Sequence, residues 1–138
     1  MSALVIEAPP AEAPAGTKIA VYACLPSSEF RDSALRGVFG LASRSGWVPA
    51  GTFIDIAEFA SPATDRLERT KALELVARGG ASGIVVPVYA MLFFHPGEHA
   101  EIVAWQQETG AWVSSPWNTA VVAERLGVAR LRQAGAVS

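Results

Sequence analysis

Apolar and polar positions change period several times along this chain, and each change marks a predicted element. Lys18 to Cys24 is a continuous apolar run, the pattern of a strand covered on both faces. Phe30, Leu35, Val38, Phe39 and Ala42 then form a stripe at helical spacing, behind a cap supplied by Ser27 or Ser28. Gly46 stops that helix after Ser45. Val48 to Ile56 reads as a second strand centred on Thr52-Phe53-Ile54, and Ala57 to Ala63 as a loop closed by Pro62. Thr64 or Asp65 can cap the next helix, with Leu67, Thr70, Leu73 and Val76 facing inward and Gly79-Gly80 ending it. Gly83 to Tyr89 is a third buried strand, and Pro96-Gly97 opens a helix through Glu108 with Ile102, Val103 and Trp105 apolar. Gly110 leads into a fourth strand, Ala111 to Ser115, and Asn118 or Thr119 begins a last helix carrying Val122, Leu126 and Ala129.

Strand and helix alternate throughout, which predicts an α/β fold: a three-layer, doubly wound, mostly parallel sheet of about four strands. Ligands in such sheets sit beyond the carboxyl ends of the strands. Those ends are Cys24 to Ser28, Asp55 to Glu58, Tyr89 to Phe94 and Ser115 to Asn118. Ahead of the first strand, the Ala/Pro-rich stretch from Ala8 to Gly16 has no periodicity and little to bury. Residues 1–17 are therefore expected to form a flexible leader and residues 18–138 a single domain.

Composition narrows the function classes. The chain is 51% hydrophobic and 17% charged, with a formal net charge of −2, as in an apolar globular protein. A protein built to neutralise phosphates shows a basic face, whereas the arginines here are interleaved with Asp and Glu along predicted helices. Nucleic-acid binding by this chain is disfavoured on that ground. Cys24 is the sole cysteine, so neither an internal disulfide nor a cysteine zinc cluster can form. No apolar run approaches the roughly 20 residues of a membrane span, and no secretory signal is evident, so a cytoplasmic location is expected.

Several segments, taken in order, resemble the catalytic domain of the serine recombinase (resolvase/invertase) family. Ile19 to Tyr22-Ala23 followed by a Ser-rich turn resembles that family's first strand. Ala42-Ser43-Arg44-Ser45-Gly46-Trp47 is similar to its Ala-x-x-x-Gly-Trp, and Phe53-Ile54-Asp55 to its Val-Asp strand ending. The run from Arg66 to Val76 resembles its Arg-Pro-x-Leu-x-x-Leu-Leu, and Gly79-Gly80-Ala81-Ser82-Gly83 its glycine turn into strand three. The resemblance spans Lys18 to Trp117 and implies a resolvase-like fold whose chemistry needs a nucleophilic serine and several arginines, but no metal or other cofactor.

The positions that would carry that chemistry are altered. The family's Tyr-x-Arg-x-Ser falls on Tyr22, Cys24 and Pro26, and its Asp-Arg-x-x-Arg after strand three falls on Ala90, Met91 and Phe94. Proline has no hydroxyl, so the reaction cannot start at Pro26. Only the arginine opening the second helix survives, as Arg66. The family's catalytic domain runs on past strand four into a dimerising helix and a DNA-reading module, whereas twenty-one residues follow Trp117 here. The resemblance therefore implies an inactive, non-enzymatic member.

Other features have plain readings beside functional ones. Ser27 and Ser28 fit a helix cap better than a displaced nucleophile, since no base or charged partner is evident for either. Together with Arg66 and Arg69 they form a candidate anion site, although surface pairing of the two arginines with Asp65 and Glu68 is the simpler expectation. His95-Pro96-Gly97-Glu98-His99 matches His-x-x-Glu-His as a string, but Pro96-Gly97 inside it breaks the helix face that a zinc site needs, and Glu98 fits a helix N-terminus. Met91-Leu92-Phe93-Phe94 is apolar where the family keeps charge; Tyr89, Phe94 and Trp117 are candidate contacts with a partner. Three functions follow, in order of preference. One is a silent domain serving protein interaction or self-association. The others are a DNA-associated accessory factor, and a small-ligand or enzymatic protein using a remodelled pocket at the strand ends.

Overall fold

The apolar run behind Lys18 becomes the central strand of a sheet. In the computed structural model, which describes residues 13–116, β1 (Lys18–Leu25) is buried at every position after Lys18. It is followed by α1 (Arg31–Ser45), β2 (Val48–Ile56), α2 (Leu67–Ala77), β3 (Gly83–Val85), α3 (Pro96–Thr109) and β4 (Trp112–Ser114). Short 3-10 turns lie at Ser28–Phe30, Ala63–Asp65 and Tyr89–Met91. All strand pairs are parallel, in the order β2-β1-β3-β4.

The chain steps outward from β1 to β2, then reverses to β3 and β4. Right-handed crossovers therefore set α1 on one face and α2 with α3 on the other. The Trp105 indole N–H donates to the Leu73 carbonyl at 3.2 Å, which ties α3 to α2. This is the expected doubly wound, parallel α/β sheet, with its reversal between β1 and β3.

An irregularity in β2 decides which side chains reach that reversal. Ile19 pairs with Pro49 and Ala20 with Gly51, so Ala50 is an extra residue on the edge strand. Past it, Tyr22 pairs with Phe53 and Cys24 with Asp55. Strand side chains alternate, so Tyr22, Cys24 and Asp55 share the face that α2 covers. Proline at position 49 costs no ladder bond on an outer strand.

Close packing accounts for two glycines. Gly46 adopts φ 73° to end α1, a conformation that carries no penalty only without a Cβ. Gly83 lies flat against the Trp112 indole, where a Cβ would collide with the ring, and Trp112 in turn packs on Trp47 with centroids 5.0 Å apart. Residues within the predicted leader make contacts here as well: Gly16 N–H donates to the Gly46 carbonyl at 2.7 Å, and Val48 N–H to the Thr17 carbonyl at 2.8 Å.

Four expectations need correction. On α2 the buried positions are Arg69, Ala72, Leu73 and Val76, whereas Leu67 and Thr70 are exposed. The inward stripe therefore begins with arginine, a residue that is rarely buried unless paired. Neither Thr64 nor Asp65 caps that helix; both lie in the 3-10 turn before it. On α1, Leu35, Val38 and Ala42 are buried, but Phe39 is exposed, as is Phe30 in the turn before the helix. The third and fourth strands are shorter than read: the ladder of β3 ends before Pro87, which has no N–H to donate, and Tyr89 already belongs to a turn.

Candidate functional site

Asp55, one residue before the end of β2, organises the cleft. Its Oδ2 accepts the Tyr22 hydroxyl at 2.8 Å and the Arg69 backbone N–H at 3.0 Å, while Oδ1 accepts the Glu68 N–H at 3.0 Å. Those two amides lie in the first turn of α2, where no intrahelical acceptor exists. Asp55 thus caps α2 from another element, which explains why no local side chain does so.

Arg66 and Arg69 precede and open the inward face of α2, and both are fully buried. Arg66 donates Nε to the Ser61 carbonyl at 3.1 Å, Nη1 to the Met91 carbonyl at 2.8 Å and Nη2 to Glu98 Oε1. Its guanidinium carbon also stands 4.6 Å from the Phe94 ring centroid. Arg69 donates Nε to the Leu92 carbonyl at 2.7 Å and Nη2 to Glu101 Oε1 at 2.9 Å. Neither arginine is a surface group paired with Asp65 or Glu68, as the interleaved charges suggested. Their carboxylate partners stand on α3 instead. Among the described residues, no buried side-chain polar atom lacks a hydrogen-bond partner.

Glu98 serves more than one donor. Oε1 also accepts the Phe94 N–H at 3.1 Å, and Oε2 accepts the Ala63 N–H at 3.2 Å. Charge near this cluster shifts its titrating groups. Burial pushes the Tyr22 phenol far up, Arg66 countering part of the rise and Asp55 adding to it. Burial likewise raises the Cys24 thiol, with Arg66 opposing. For Arg66, burial pulls downward, but the Tyr22 hydroxyl and the Glu98 carboxylate outweigh it and hold the guanidinium charged.

The remaining predicted positions separate into three groups. Tyr22 and Cys24 are buried in the cleft floor, the Cys24 thiol 3.8 Å from the Ala57 carbonyl oxygen. Pro26 is exposed just past β1, and Ser27 caps the first 3-10 turn by accepting the Glu29 N–H at 3.3 Å; Ser28 is exposed beside it. Among the described residues, no hydrogen bond joins these serines to Arg66 or Arg69. Ala90 is exposed, Met91 and Tyr89 are buried, and Phe94 is half-buried against Phe59, 5.7 Å between centroids. Tyr89 is thus core rather than an exposed contact, and Trp117 and the helix predicted after it lie outside the described residues. His95, Glu98 and His99 diverge: the His95 ring meets the Ala60 carbonyl at 2.7 Å, Glu98 turns to Arg66, and His99 packs edge-on against Phe93.

The roles of Glu98 and Glu101 were not anticipated. A signal existed, since Arg66 and Arg69 on one helical turn match Glu98 and Glu101 on another, at the same spacing of three.

No protein-family model and no curated protein sequence matches the chain. Solved structures do. The C-terminal catalytic domain of TnpA, an IS607-like serine recombinase, aligns at 18% identity and a TM-score of 0.60, covering 79% of this chain and 77% of that one. A serine recombinase from Sulfolobus solfataricus aligns at 19% identity and a TM-score of 0.52, covering 88% and 85%. The order and parallel pairing of strands around Asp55 and Arg66 are thus the fold of a serine recombinase catalytic domain.

Proposed function

We propose that this domain is a catalytically silent form of the recombinase fold that works through protein contacts, either with itself or with a partner. The observation that carries the reading is the state of the cleft. By the resemblance Pro26 falls at the nucleophile position, and Arg66, the arginine the resemblance retains, has its donors on Ser61, Met91 and Glu98. A phosphodiester entering this cleft would meet no hydroxyl in the nucleophile's place and no uncommitted guanidinium at Arg66. Phosphoryl transfer depends on such charge, aimed where the transition state develops it.

The accessory-factor reading relied on Arg66 and Arg69 meeting DNA from the surface, and burial of both removes that support. The interaction reading gains from apolar groups at the cleft rim. Phe59 and Leu67 are 66% and 65% exposed. Leu67 adjoins Glu68, which Asp55 caps, and Phe59 packs on Phe94 beneath Arg66. Exposed apolar groups gathered in this way are characteristic of contact surfaces.

Light scattering on the purified chain, paired with affinity capture from its native cell, tests the reading. The expected result is a defined oligomer or a stoichiometric partner, lost in a Phe59→Ser/Leu67→Ser variant that melts at the wild-type temperature. A monomer that recovers no partner would overturn it.

A further inference from the structure

We propose that the Glu98 carboxylate fills a preformed oxyanion cradle in cis, and that the emptied cradle binds a small oxyanion of the carboxylate or phosphate type. The inference deepens the reading that the clamp is spent, and rests on it. Three donors from two segments converge on this one group: Arg66 Nη2 and the Phe94 N–H on Oε1, and the Ala63 N–H on Oε2. Each is held in place by contacts that do not involve Glu98. The Arg66 guanidinium is fixed by the Ser61 and Met91 carbonyls and the Phe94 ring. Phe94 is braced by Phe59, and Ala63 begins a 3-10 turn closed by the Asp65 N–H on the Pro62 carbonyl and the Arg66 N–H on the Ala63 carbonyl.

Glu98 stands in the first turn of α3, behind Pro96 and Gly97. Its bond from the Phe94 N–H is local to the start of that helix, and the other two reach across to Ala63 and Arg66. Withdrawing it would leave a buried cation unbalanced and two backbone N–H groups without acceptors, the costliest state for such groups. Truncation at Cβ removes Cγ, Cδ and both carboxylate oxygens, the heavy atoms of acetate. An acetate ion therefore matches the vacated volume and the donor pattern together. Tetrahedral phosphate offers the same charge chemistry with a poorer shape.

Thermal melts of Glu98→Ala in sodium acetate, sodium phosphate or sodium chloride of equal ionic strength test this. The variant is expected to melt below wild type in chloride. Acetate at about tenfold its Kd should then raise its melting temperature by roughly 4 °C. Phosphate should give a smaller rise, and wild type should not respond to either. An Arg66→Met/Glu98→Ala variant should lose the response. Equal acetate shifts in wild type and E98A, or a shift that survives in the double variant, would overturn the proposal. Should E98A not fold in chloride, it and the milder Glu98→Ser are refolded with and without acetate: anion-dependent recovery supports the cradle, and equal failure in both contradicts it. Failure here leaves the reading of a silent cleft intact, whereas wild-type cleavage of DNA would sink that reading without touching acetate rescue.

Discussion

At the scale of single residues, the cleft is governed by the rule that a buried charge must be matched. Arg66 satisfies it with a carboxylate, two carbonyls and an aromatic face. Removing either member of the Arg66–Glu98 pair strands the other, so Arg66→Met and Glu98→Leu should each cost about 3–5 kcal/mol in urea unfolding. The double variant should cost clearly less than their sum, and strict additivity would show that the two groups do not depend on each other. Tyr22 offers a pH signature. An unfolded phenol releases its proton near about pH 10, and burial holds the folded one protonated to higher pH. Between those limits the unfolded state binds fewer protons, so stability is complete below about pH 10 and falls as pH rises. Tyr22→Phe should lower stability at neutral pH by about 1 kcal/mol, through the lost bond to Asp55, and flatten the alkaline decline. The Cys24 thiol, raised by burial, should alkylate far more slowly at pH 8 than after unfolding.

At the scale of elements, one carboxylate couples strand to helix. Asp55 holds the amides of the second and third residues of α2, so Asp55→Ala should destabilise the domain by about 2 kcal/mol. Amide exchange should then accelerate at Glu68 and Arg69 before the rest of α2. Uniform acceleration along the helix would instead point to global unfolding and remove the capping role. The central strand was legible because full burial writes itself as an unbroken apolar run, as in Ile19 to Leu25. The bounds of β2, Val48–Ile56, were equally plain from the sequence. The inward face of α2 was not, because apolar periodicity put Leu67 and Thr70 where Arg66 and Arg69 stand. Periodicity assigns polar residues to water; it has no means of detecting that two acidic groups 32 residues further on neutralise them. Likewise the Asp55 cap is long-range, so Thr64 and Asp65, adjacent in sequence, looked the better candidates.

At the scale of the whole molecule, a parallel sheet with its reversal between β1 and β3 keeps the architecture of serine recombinase catalytic domains. What fills the strand ends differs from what the resemblance requires: proline, a neutral thiol, apolar side chains and arginines turned inward onto glutamates. On the proposed reading such a cleft neither attacks nor clamps a phosphodiester, and the exposed rim is the proposed contact surface. The most direct measurement is denaturing-gel detection of a covalent protein–DNA adduct. Wild type, Pro26→Ser and a Ser27→Ala/Ser28→Ala variant would be incubated with supercoiled plasmid and labelled duplex. The account predicts no adduct and no strand breakage from wild type, and none from Pro26→Ser, whose restored hydroxyl still lacks free cationic support. A covalent adduct formed by wild type and abolished by Ser27→Ala/Ser28→Ala would contradict it.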